Sequence, residues 1–90
     1  VVEVGFQVQV GQGVVARPGG AIRFAGSYVF AASEDEAVRV EIAVWDEASA
    51  EFDVSLREGE TFEVAGQTWR LDKIHSQGVR RWYADLTRIA

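Results

Sequence analysis

From Val38 to Val44 every second residue is branched and apolar: Val38, Val40, Ile42 and Val44 alternate with Arg39, Glu41 and Ala43. A side-chain period of two sends neighbours to opposite faces of an extended ribbon, so such a run folds as a strand with one buried face. The same rhythm governs most of the chain. Even positions from Val2 to Val10 read Val2, Val4, Phe6, Val8 and Val10, which predicts a first strand. Gly11-Gln12-Gly13 then offers a turn or bulge, Val14 to Ala16 pair briefly, and Pro18-Gly19-Gly20 redirects the chain. A second strand holds Ile22, Phe24, Tyr28 and Phe30 in one inward phase. Gly26 shares that phase, where a missing side chain permits a bend or a close approach of backbone.

Ser33-Glu34-Asp35-Glu36 connects to a third strand, Ala37 to Trp45, and Asp46 to Ala50 turn the chain again. A fourth strand runs from Glu51 to Leu56 with Phe52, Val54 and Leu56 inward, and Arg57 to Glu60 make a tight connection to a fifth, Thr61 to Val64. Ala65-Gly66-Gln67 is a hairpin loop. A sixth strand starts at Thr68 with Trp69 and Leu71 inward; Ile74 falls out of that phase, marking a bulge or the strand's end. After Ser76-Gln77-Gly78 a last strand, Val79 to Ile89, keeps Trp82, Ala84 and Leu86 in register. About seven strands without helical periodicity predict a single all-β domain, an antiparallel sandwich or small barrel.

Ninety residues, 48% of them hydrophobic, suffice for one core and exclude a second domain. The absence of cysteine removes disulfides and thiolate chemistry. No apolar run approaches the roughly 20 residues that span a bilayer, so a soluble protein with no membrane contact is expected. The chain opens at Val1 and holds no methionine, which implies a removed initiator or a leader outside it; the cytoplasm is favoured, with secretion after leader removal as the alternative. A net charge of −5 argues against nucleic acid as a partner. Residues 33–63 hold two basic and eleven acidic residues, whereas 64–90 hold five basic and two acidic. Pairing of these charges across strands is the plain expectation, and an acidic docking surface the functional one.

Little in the chain points to catalysis, a metal or a cofactor. His75 is the only histidine and reads as a surface or turn residue rather than a metal ligand or the base of a triad. Glu34-Asp35-Glu36 lacks the ligand spacing of a calcium loop, and the glycine turns lack the pattern of a phosphate loop. Arg80-Arg81 beside Trp82 and Tyr83 resembles a single-strand stacking patch, yet alternation turns Trp82 inward and leaves only Arg81 and Tyr83 on the other face.

That second face is rich in small and apolar residues, among them Ala25, Ala43 and Trp45, more than water alone requires. Trp45 either caps an open end beside the Asp46 turn or meets a partner. The first reading is therefore a non-catalytic interaction module that presents Trp45, Tyr83, Asp46, Glu47 and Arg81 to a protein partner or to a second copy of the chain. The alternative is a barrel whose lumen, lined by Phe6, Phe24, Tyr28, Phe30, Trp69 and Trp82, sequesters or templates an apolar small molecule.

Leu56, Gly59, Thr61, Phe62, Val64, Gly66, Thr68, Trp69, Leu71 and Ile74 spell L-x-x-G-x-T-F-x-V-x-G-x-T-W-x-L-x-x-I, followed by a strand with Trp82 and Leu86. This hairpin, about the last third of the chain, resembles small all-β proteins of unknown function from actinobacteria. The resemblance implies a bacterial origin and a β fold, and no activity.

Overall fold

The computed structural model describes residues 3–19, 22–47, 49–78 and 80–90. Val2, Gly20, Ala21, Ala48 and Val79, which the alternation assigned to strands or turns, lie outside the described residues. Among the described residues eight strands form: β1 (Gln7–Gly11), β2 (Val15–Gly19), β3 (Ile22–Phe30), β4 (Arg39–Asp46), β5 (Ser49–Arg57), β6 (Thr61–Val64), β7 (Gln67–Ser76) and β8 (Trp82–Arg88). They make two four-stranded antiparallel sheets, in the orders β1-β8-β7-β6 and β2-β3-β4-β5. Every sheet neighbour is also a chain neighbour except the β1/β8 pair. The order is thus that of an up-and-down ring, opened at β1/β2 and β5/β6 into a sandwich.

The eighth strand is β2, where brief pairing from Val14 to Ala16 was expected; it continues through a bulge between Ala16 and Gly19 that accommodates Pro18 at the sheet edge. The first strand is shorter than its alternation suggests. Gly5 has φ 93° and the chain turns there, leaving Val4 62% and Phe6 45% exposed. Phe6 therefore lines no interior.

Alternation places Val40, Ile42 and Val44 of β4 at 0% exposure, facing Phe24 of β3, Trp69 and Leu71 of β7 and Ala84 and Leu86 of β8 within one core. Phe24 meets Phe62 and Trp69 edge-to-face at centroid distances of 5.5 and 5.1 Å, so aromatic rings fill the space between the sheets. The phase fails where the ladder slips. In β3 the register shifts between Gly26 and Tyr28, which turns Val29 inward (3% exposed) and sends Tyr28 and Phe30 outward. Asp46, expected in a turn, ends β4 in the inward phase and is buried.

The sheets come into backbone contact where β1 meets β3. Gln12 bridges to Gly26, and a Cβ on Gly26 would run into the Gly11 carbonyl and stand 2.8 Å from Cη2 of Trp82. The Trp82 indole N–H donates to Gln12 Oε1 at 3.0 Å across this corner. Chain turns close both open edges: Val14 N–H donates to Gly11 O, and Glu60 N–H to Arg57 O.

Gly26→Ala should lower unfolding stability by about 2–4 kcal/mol, because backbone rather than a pliable side chain occupies the site. Gly13→Ala, in open space at φ 71°, should cost only about 1 kcal/mol for the left-handed backbone. Urea unfolding of the two variants checks the ranking, and equal losses would contradict it.

Candidate functional site

β7 departs from plain alternation, and that departure builds the site. Trp69 and Leu71 face the core; if the phase continued, Lys73 and His75 would follow them inward. Instead the register shifts between Leu71 and Lys73, Asp72 becomes the extra residue, and Ile74 returns to the core. His75 thereby emerges on the outer face, directly across from Tyr83 of β8.

The bulge is held from several directions. Asp72 accepts hydrogen bonds from the Thr87 hydroxyl and, at 2.6 Å, from Arg70 Nε. Burial raises the Asp72 pKa, but the Thr87 and Arg70 hydrogen bonds and the Arg70 charge outweigh it and hold the carboxyl below its ordinary range. Past the bulge β7 outruns β6, and the Glu58 carboxylate takes the Ile74 N–H at 2.8 Å in place of a strand partner.

Outside the sheet, three strands contribute one connected group. His75 Nε2 lies 3.0 Å from Asp85 Oδ2, and the Gln9 amide donates to Asp85 Oδ1 at 3.0 Å, so both carboxylate oxygens are engaged. A carboxylate oxygen only accepts, so the His75 Nε2–H is the donor to Asp85. The Tyr83 ring stacks on the imidazole at 4.3 Å and 15° while remaining 44% exposed. On the far side of Tyr83, β1 presents Gly11, which carries no side chain. A groove of about 660 Å³ opens here, lined by Gly11, Val14, His75, Gln77, Arg81 and Tyr83 among others. Among the described residues no hydroxyl bonds the His75 ring, and no group of three His, Cys, Asp or Glu side chains gathers to hold a metal.

Of the residues suggested by the sequence, Arg81 and Tyr83 line this groove, as does Trp82, whose side chain is otherwise packed in the core. Trp45 does not. It stands on the outer face of the other sheet, with the Arg23 guanidinium 4.0 Å above its ring, beside a trough of about 130 Å³ floored by Ala25 and Ala43. Glu47 is exposed in the adjoining turn, while the burial of Asp46 removes it from any docking surface. The sequence assigned Trp45 and Tyr83 to a single face; the sandwich divides them between two.

The suggested lumen residues are likewise divided. Phe24, Trp69 and Trp82 are packed in the core, whereas Tyr28 and Phe30 pair at 4.9 Å on the outer face, with Arg39 over Phe30 at 4.2 Å. Sequence reasoning passed over Gln9, Gly11 and His75. The signal available for His75 was its place one residue beyond Ile74, the residue out of phase. The ion pairs Arg57–Glu36 and Arg70–Asp72, and the His75–Asp85 contact, each join residues within one of the charge-biased segments, not across them.

A lowered carboxyl pKa stabilises the fold above the unfolded value of about 3.9 and loses that contribution as pH falls through the folded value. Asp72→Asn should therefore lower stability at neutral pH and flatten its decline below about pH 4. Thermal melts across that range test this; a variant with unchanged acid dependence would contradict it.

No described helix is long and apolar enough to cross a membrane, since the described residues form none. Comparison with curated proteins and with solved structures returns no match. Residues 5–90 match DUF6406, a family of unknown function, and the chain belongs to that family.

Proposed function

We propose that this domain is a non-catalytic recognition module and that the groove beside Tyr83 is where it takes a segment of a partner protein. The observation that carries the reading is the Tyr83 ring, half exposed yet fixed against an imidazole that Asp85 and Gln9 hold in turn. A ring ordered before binding loses little conformational entropy when a partner covers it. The Trp45 trough is a weaker candidate, because it is smaller and Arg23 already occupies one face of its ring.

The likeness of the Leu56 to Ile74 hairpin to small actinobacterial proteins supports a bacterial accessory domain.

A peptide-library screen followed by backbone amide shifts in nuclear magnetic resonance tests the proposal. Perturbations should cluster at residues 9–11, 75–77 and 81–85. Clustering around Trp45, Ala43 and Arg23 instead would place the partner surface on the other sheet and overturn the reading.

A further inference from the structure

Tyr83 has two cross-strand neighbours, and they differ in the one respect that matters for stacking. On β7 the neighbour is His75, whose ring covers one face of the phenol at 4.3 Å. On β1 it is Gly11, so the second face of the phenol has no side chain beside it. Adjacent strands lie about 4.8 Å apart, close to the separation of the stacked pair. The open face of the phenol gives onto the groove, so a flat ring lying in the groove over Gly11 continues the stack by one member.

The vacancy belongs to the fold. A Cβ on Gly11 would lie 2.7 Å from the Trp82 carbonyl oxygen and 3.4 Å from Tyr83 Cβ, so no larger residue fills the slot from within. Val14, 53% exposed, supplies an apolar wall, and the Gln77 amide lies at the rim.

The charge at the mouth is one-sided. Arg81 lines the groove, is exposed, and makes no ion pair with a carboxylate among the described residues. The carboxylate within the site, Asp85, already has both oxygens engaged by His75 and Gln9, so it does not compete for the guanidinium. We infer that the slot between Tyr83 and Gly11 takes a planar aromatic ring carrying an anionic substituent, with the ring stacked on Tyr83 and the anion paired with Arg81. This inference rests on the groove being the recognition site and adds the chemistry of what enters it.

Indole-3-acetate, its neutral isostere indole-3-acetamide and a capped Trp-Asp dipeptide serve as probes, each titrated while ligand and protein resonances are followed. The acid should bind about fivefold more tightly than the amide, the scale of an exposed charge pair, and its ring protons should shift upfield from stacking. Arg81→Gln should erase the preference for the acid while retaining amide binding. Tyr83→Leu should weaken both ligands about fivefold and abolish the upfield shift, whereas Trp45→Leu should change neither. Should Tyr83→Leu not fold, the upfield shift in the unaltered protein decides the stacking question.

Equal affinity for acid and amide, an undiminished preference in Arg81→Gln, or no binding of any probe at millimolar concentration would overturn the inference. Binding of the free acid without the dipeptide would support it while telling against a protein segment as the natural occupant. A library screen that perturbs the groove only with cationic or aliphatic peptides would do the reverse, sustaining the recognition site and refuting its proposed ligand.

Discussion

A close approach between the two sheets, where Gly26 of β3 lies against Gly11 of β1 beneath the Trp82 indole, sets the geometry around it. The β1 backbone comes this near to β3 only because Gly26 carries no Cβ, while Gly11 is kept bare by the β8 backbone at Trp82 and Tyr83. The indole bridges the corner by its own N–H to Gln12, so a core tryptophan also fastens the turn between β1 and β2. Because the β8 backbone crowds Gly11, the outer face of the same sheet carries no side chain there beside Tyr83. Two steric demands, at Gly26 and at Gly11, thus join the sheets and shape the groove.

Two bulges determine which side chains reach solvent. The slip in β3 turns Val29 inward and releases Tyr28 and Phe30; the slip at Asp72 in β7 returns Ile74 to the core and releases His75. A one-residue slip reverses the face of every residue beyond it. The fixing of Asp72 by Thr87 and Arg70, and of Ile74 by Glu58, therefore reaches the site through register, without any of these residues lining the groove.

This also explains how much of the molecule was legible beforehand. Where the ladder is regular, as from Val40 to Val44, Thr61 to Val64 and Trp82 to Leu86, alternation alone placed the buried side chains. In β7 the irregularity announced itself, because an apolar Ile74 stood on a polar beat. In β3 it did not: Tyr28 and Phe30 are apolar enough to pass for core, and Val29 for an outward residue. At the chain's start, Val4 and Phe6 kept the rhythm of a strand, but the turn at Gly5 overrode it. The site was harder to read, since its members come from β1, β7 and β8 and meet only through pairing registers of long sequence separation. Tyr83 and Arg81 were found as members of an outward phase; Gly11 and Gln9 had no local mark of their role.

Nuclear Overhauser effects at the β1/β3 crossing examine the claim on which the docking of the two sheets depends. Strong contacts are expected between the Gly26 α-protons and both the Gly11 α-protons and the outermost indole proton of Trp82. Spectra in which Gly26 shows only its neighbours within β2, β3 and β4 would mean that the sheets do not meet there and would contradict the account.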